Sequence, residues 1–214
     1  MEDPIQRHPT RQEQLDILAT ILGDLAAPND RLLDLGCGTG YFAHLLRQKA
    51  PELAITGVDM SKAALNQASE QPGFDAVVGD LRAPAAIALP HSDYAFACSN
   101  LTFHDLNDDQ KRGVIEWLHE HLRDDGIFFL FDRVRLTAPG LFAAQQSIWR
   151  RLEHRYGRGM RTAQTFEAYI EDLGTDNRPA PLETYFEWFR EAGFDPACLH
   201  LHGNVALIGA KAEQ

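Results

Sequence analysis

Cysteine is scarce in this chain. Cys37, Cys98 and Cys198 are the only three in 214 residues, and they lie far apart without C-x-x-C spacing. That argues against a disulfide scaffold or a zinc site and fits a reducing, cytoplasmic setting. Long apolar runs are missing too: no segment reaches the roughly 18 uninterrupted apolar residues of a membrane span. The opening MEDPIQRHPTRQEQ has no apolar core behind a basic start, so a soluble chain without a leader is expected. Basic residues are in the minority, 20 Lys+Arg against 31 Asp+Glu, which leaves a formal net charge of −11. Repulsion at that charge disfavours nucleic acid and anionic membranes as partners. With 16 Gly and 11 Pro the chain is neither collagen-like nor of low complexity, and 44% hydrophobic residues is ordinary globular usage. At roughly 100–200 residues per domain, one domain over 1–214 is expected.

What is present is an alternation of periods. Leu15, Leu18, Ile21, Leu22 and Leu25 recur at helical spacing and stop before Pro28, predicting an N-terminal helix within 1–29. Then RLLDLG (31–36) reads as a strand, 39–50 as a helix and LAITGVD (53–59) as a strand, with Ser61 opening the next helix. The series continues through strands DAVVGD (75–80) and YAFACSN (94–100), a helix carrying Val114, Ile115, Leu118 and Leu122, and the strand GIFFLFDRV (126–134). Near-continuous apolar strands alternating with helices imply a sheet buried on both faces, parallel, with right-handed crossovers. Residues 137–181 break the rhythm with two helical stretches, about 141–156 and 163–173, and read as an insertion, a helical lid. After the helix LETYFEWFREAGF, the runs ACLHLHG and NVALIGAKA hinge at Gly203-Asn204 as an antiparallel edge hairpin. The fold class expected is α/β: a Rossmann-like, doubly wound, mostly parallel seven-stranded sheet with a C-terminal antiparallel hairpin and a helical lid.

The chemistry begins at LLDLGCGTGYF. Strand 31–36 runs into Gly36, Gly38 and Gly40 and then a helix, so the turn lies at the carboxyl end of the first strand, where open α/β sheets bind ligands. A dinucleotide fingerprint needs a small residue where this chain has the bulky Tyr41, and no G-x-x-x-x-G-K-[ST] is present, so neither a dehydrogenase nor an ATPase is supported. The G-x-G-x-G turn resembles motif I of the class I S-adenosylmethionine-dependent methyltransferases. The likeness extends in order and spacing over roughly residues 31–136 and 182–211.

That resemblance implies S-adenosylmethionine as cofactor, approached by the backbone of Gly36, Cys37, Gly38 and Gly40. Asp34 then serves the ligand's amino group. Asp59, ending the second strand in GVDMS, can accept two hydrogen bonds from a ribose diol. By the same resemblance Met60 flanks the adenine, Asp80 in VVGDL serves the adenine amino group, and Leu81 offers a backbone N–H. Taken singly, an aspartate at a strand end is more often a turn or cap residue; three in this order carry the argument. After the fourth strand, in CSNLTFHDLND, the resemblance sets Ser99 and Asn100, or their backbone, beside the methionine moiety. His104 can remove a proton from an acceptor hydroxyl or amine, with Asp105 holding it. Its alternatives are a cap on the helix starting near Asn107 or plain pocket wall.

Metal chemistry finds little support. His119 and His121 lie about 200° apart around a helix and read as solvated-face residues. His200 and His202 share a strand face but lack a third ligand. Asp105, Asp108 and Asp109 read as helix N-terminal charge. No metal is expected. The insertion carries Arg150, Arg151, Arg155, Arg158 and Arg161 interleaved with Trp149, His154 and Tyr156. Arg151, Arg155 and Arg158 share a helical face, which suggests an anion clamp for a small substrate, with Trp149, Arg151, Arg155 and Tyr156 as substrate-binding residues; a packed face with solvated heads is the alternative. The function expected is methyl transfer to a small, anionic molecule, with a homodimer as the oligomer to test for. Two alternatives stand beside it. The layout also resembles, more loosely, carboxy-S-adenosylmethionine synthase type enzymes of the tRNA-wobble pathway. A non-catalytic S-adenosylmethionine-binding partner subunit is the other.

Overall fold

A computed structural model describes residues 10–157, 163–174 and 176–213; Arg158 of the expected arginine face, and Arg161, lie outside them. In chain order the elements are α1 (Arg11–Leu25), β1 (Arg31–Leu35), α2 (Tyr41–Leu46), β2 (Ala54–Asp59), α3 (Lys62–Ala68), β3 (Phe74–Val78), β4 (Tyr94–Asn100), α4 (Asp108–His119), β5 (Leu122–Arg133), α5 (Phe142–Tyr156), α6 (Phe166–Leu173), α7 (Leu182–Glu191), β6 (Phe194–His202) and β7 (Val205–Ala212). The strands form one seven-stranded sheet in the order β3-β2-β1-β4-β5-β7-β6. The pairs among β1 to β5 are parallel, and β7 runs antiparallel to both β5 and β6. That is the fold class read from the sequence.

Side-chain alternation sends the strand residues into two cores. On one face Leu33, Leu35, Phe128 and Leu130 meet Val114, Ile115 and Leu118 of α4 and Tyr185 and Phe189 of α7. On the other, Leu32, Phe96, Cys98, Phe129 and Phe131 meet Leu15, Leu18 and Leu22 of α1 and Phe42 of α2. A third cluster, Phe142, Trp149, Leu152, Ala163 and Tyr169, lies within the interval 137–181, so α5 and α6 bury their apolar faces against each other. Helix α2 is shorter than the 39–50 expected: Arg47 closes its end with bonds to Pro51 O, Leu53 O and Gly73 O. Ser61 caps α3 as expected, and Asn107 with Gln110 forms a capping box on α4. Pro196 falls in β6, which is tolerated because that strand is the sheet edge.

Strand order reverses direction between β1 and β4. Crevices for ligands open at the carboxyl ends of strands at such switch points.

Candidate active site

Two loops meet at that switch point. After β1 the chain turns through Gly36 (φ +71), Gly38 (φ +54) and Gly40 (φ +76), left-handed conformations that L side chains rarely adopt. At Gly36 a Cβ would also fall 2.3 Å from Thr102 Oγ1, so the glycine lets the two loops touch. The turn is tied down from β2: Gly36 and Cys37 donate to Val58 O, and Gly38 donates to Asp59 Oδ2 at 2.9 Å. After β4, Leu101 takes φ +57, a costly conformation for a branched side chain, and its N–H is held by Phe131 O at 2.8 Å. The left-handed turn directs Thr102 through Leu106 toward the glycine loop.

Between the loops lies a cleft of about 310 Å³ lined by Gly36, Val58, Asp59, Met60, Gly79, Asp80, Leu81, Arg82, Thr102, Asp105 and Leu106. Gly36, Asp59, Met60, Asp80 and Leu81 of the expected set are thus together. Met60 is 64% exposed on the wall while Leu81 is buried. Asp59 also accepts from Ser61 N–H at 2.8 Å, which leaves further lone pairs on its two oxygens. Asp80 is engaged by Arg82, whose Nε and Nη2 reach its carboxylate at 2.9 and 2.7 Å and hold its carboxyl below the usual range. An adenine amino group would therefore share Asp80 with that guanidinium. Ser99 is fully buried and its Oγ donates to Leu35 O at 3.0 Å, stitching β4 to β1, so of the contacts expected of it the backbone one is left.

Beneath the glycine turn sits Asp34, 1% exposed. Its Oδ1 accepts from the Cys98 thiol at 3.4 Å, while Oδ2 has no partner. Burial pushes its carboxyl up to about 7; the Cys98 and Asn100 side chains work against that and the charge of Asp59 adds to it. The thiols of Cys37 and Cys98 are pushed upward by burial and by Asp34. A buried carboxylate oxygen lacking a donor, below a cleft bordered by Asp59, suits a ligand that carries an ammonium group. A cofactor made of an amino acid joined to a nucleoside therefore fits these residues.

His104 follows in a short 3₁₀ turn and is 8% exposed. Asp105, expected to hold it, reaches only Nε2, at 3.5 Å. The carboxylate that does hold it is Asp132 of β5, with Oδ1 at 2.6 Å from Nδ1 and Oδ2 accepting the His104 N–H at 2.9 Å. Asp132 was not singled out from the sequence, although a charge interrupting the apolar run GIFFLF is a visible anomaly. His104 does not cap α4; Asn107 does. Lys111, fully buried, donates to Leu106 O at 2.6 Å and Arg178 O at 2.5 Å, and Arg178 N–H bonds His104 O at 2.6 Å. The end of the insertion is thereby fastened to the histidine turn.

The remaining candidates scatter. Trp149 is buried and lines a cavity of about 180 Å³ with Arg133, Tyr169, Asn177 and Asn204. Arg151 and Arg155 are exposed and line neither this cavity nor the cleft. Arg155 stacks 5.5 Å from the ring of its neighbour Tyr156, whose hydroxyl donates to Glu13 of α1. His119 and His121 are half-buried rather than on a fully solvated face: His119 packs edge-on against Phe194, and His121 Nδ1 pairs with Trp117 O at 2.8 Å. Among the described residues no group of three or more His, Cys, Asp or Glu could hold a metal ion, and no helix is long and apolar enough to cross a membrane.

Residues 32–126 match the methyltransferase domain family. The chain is 35% identical over 98 residues to the demethylmenaquinone methyltransferase of Thermotoga maritima, covering 45% of this chain and 41% of that protein. It is 24% identical over 126 residues to the carboxy-S-adenosyl-L-methionine synthase of Nautilia profundicola, covering 59% and 54% respectively. The chain thus spans about half the length of these curated relatives. Among solved structures, the YcgJ protein of Bacillus subtilis superposes with a TM-score of 0.65 at 13% identity, over 95% of this chain and 99% of that one, which is a likeness of fold.

Proposed function

We propose that the chain is a class I S-adenosylmethionine-dependent methyltransferase and that it transfers a methyl group from this cofactor to a small-molecule nucleophile. The observation that carries the reading is the cleft at the β1–β4 switch point, with an unpartnered Asp34 oxygen beneath it and His104 beside its rim. When bound, the cofactor supplies a methyl group already activated on a sulfonium, so alignment of the acceptor does much of the work. Gly36, Cys37, Gly38 and Gly40 let the backbone approach the ligand. Asp34 takes its ammonium group, Asp59 the ribose hydroxyls, and Met60, Leu81 and Asp80 flank the adenine. Asn100, whose Oδ1 is buried without a partner, faces the methionine moiety together with the Ser99 backbone. His104 takes up the acceptor's proton at Nε2, the atom nearest the cleft-lining Asp105.

Recognition of an anionic acceptor is assigned to Arg133 in the Trp149 cavity rather than to Arg151 and Arg155, because Arg133 lines that cavity and they do not. A second reading, a cofactor-modifying enzyme of the carboxy-S-adenosylmethionine synthase type, is favoured by the match to that synthase.

Thermal shift tests the cofactor, since a ligand of the native state raises the melting temperature by mass action. S-adenosylmethionine and its demethylated product are expected to stabilise the protein. A larger shift from NADH or ATP, with none from S-adenosylmethionine, would reject the assignment. Mass spectrometry of co-purifying ligand separates the methylating form from the carboxylated one.

A further inference from the structure

Asp132 is a residue that neither the cleft nor the sheet requires. It interrupts an apolar strand and is 2% exposed, a costly place for a carboxylate unless its oxygens are satisfied. They are satisfied by His104: Oδ2 accepts the histidine's main-chain N–H at 2.9 Å, and Oδ1 lies 2.6 Å from its ring Nδ1 while also accepting Arg133 N–H at 2.6 Å. One carboxylate therefore grips both the backbone and the ring of one residue, which fixes where the ring sits and how it is turned.

We infer that Asp132 is a positioning residue that holds His104 in the tautomer with the proton on Nδ1, so that the bare Nε2 faces the cofactor cleft. An ionised carboxylate only accepts hydrogen bonds, so Nδ1 must be the donor, and in a neutral imidazole the lone pair then falls on Nε2. That atom lies 3.5 Å from Asp105 Oδ1, and Asp105 lines the cleft. The other ionisable groups facing this pair come from the helices packed on the strand: Lys111 of α4, already engaged with Leu106 O, Arg178 O and Asp108, and the buried Tyr185 of α7, both of which sense the Asp132 charge. Neither displaces the imidazole from either Asp132 oxygen. The use made of the tautomer rests on the proposed role of His104; the tautomer itself does not.

The alternative is a staple, in which Asp132 only pins the turn after β4. Asp132→Asn separates the two. In the amide orientation that keeps the main-chain N–H bond, the NH₂ faces Nδ1 and can only donate, so the Nδ1 proton moves to Nε2 while the turn stays pinned. Nitrogen-15 NMR of the imidazole, on labelled protein saturated with S-adenosylhomocysteine at alkaline pH, is expected to show a protonated Nδ1 and bare Nε2 in the wild type and the reverse in Asp132→Asn. A wild-type ring with its proton on Nε2, or divided between the nitrogens, overturns the inference. The wild-type spectrum decides the matter even if the variant fails to fold. In turnover with an identified acceptor, Asp132→Asn is expected to lower kcat roughly 10²–10⁴-fold with little change in cofactor affinity. Should His104→Gln instead retain turnover within about threefold, the base reading fails and the tautomer assignment is left to the spectrum.

Discussion

Asp34 offers a prediction in which fold stability and ligand affinity respond to pH in opposite directions. Burial pushes its carboxyl to about 7 in the folded protein, against a value near 3.9 in an unfolded chain. Across the window between, the folded state carries a proton that the unfolded state has released. Stability is therefore complete below about pH 4 and declines as pH rises through 7, by about 1.4 kcal/mol per unit and about 4 kcal/mol in all. Asparagine cannot ionise. Ligand-free Asp34→Asn should match the wild type near pH 4 and exceed it above pH 7, on the order of 10 °C in melting temperature for a domain of this size. An ammonium group on the ligand selects the ionised carboxylate, so below pH 7 binding must expel a proton and affinity should fall about tenfold per unit of acidification. In Asp34→Asn that dependence, and most of the affinity, should vanish. Scanning calorimetry with and without S-adenosylhomocysteine, from about pH 4.5 to 8.5, reads both effects. A variant less stable than wild type at pH 8, or wild-type affinity flat between about pH 5.5 and 7, would refute the reasoning.

Two further outcomes are expected. Asp59→Ala removes the acceptor of Gly38 N–H and Ser61 N–H together with the ribose partner, and should cost about 1.5–3 kcal/mol of cofactor binding; unchanged affinity by titration calorimetry in a folded variant would remove Asp59 from the site. Lys111→Met leaves the carbonyls of Leu106 and Arg178 without their donor, at about 1–3 kcal/mol each, and urea unfolding showing a loss under about 1 kcal/mol would contradict the fastening described for the insertion.

The sheet was legible because its strands are buried on both faces and so read as apolar runs, and because Gly36, Gly38 and Gly40 mark a turn only a glycine-rich chain makes. The C-terminal hairpin was legible from Gly203-Asn204. The cleft's acidic residues were legible because strand ends are fixed by the same periodicity that finds the strands. What periodicity does not encode is which side chains meet across the sheet. Asp105, next in sequence to His104, is the local guess for its partner, yet the partner is Asp132, because β4 pairs with β5 and Asn100 lies opposite Phe131. The resemblance sets Ser99 at the ligand by side chain or backbone, and strand pairing with β1 sends the hydroxyl to Leu35 O. The arginines of α5 share a face in sequence, and the packing of Trp149 and Leu152 into the insertion's own core turns that face outward.

The charge pattern ties the acidic composition to the proposed chemistry. The cleft is bordered by Asp59, Asp80 and Asp105 with Asp34 below, and Arg82, the cation on its wall, is bound to Asp80. Such a site favours a ligand bearing two positive charges, an ammonium and a sulfonium, by long-range attraction as well as contact. Methyl transfer to a hydroxyl or amine discharges the sulfonium and frees one proton from the acceptor. If that proton goes to His104 Nε2, a positive charge disappears at the cofactor and one forms on an imidazole set between Asp105 at 3.5 Å and Asp132 at 2.6 Å. The cation count among the carboxylates is then unchanged by the reaction, so little charge separation opposes it. On that proposal, the buried aspartate in the middle of a strand whose neighbours are phenylalanine and leucine would stabilise the imidazolium that the step creates.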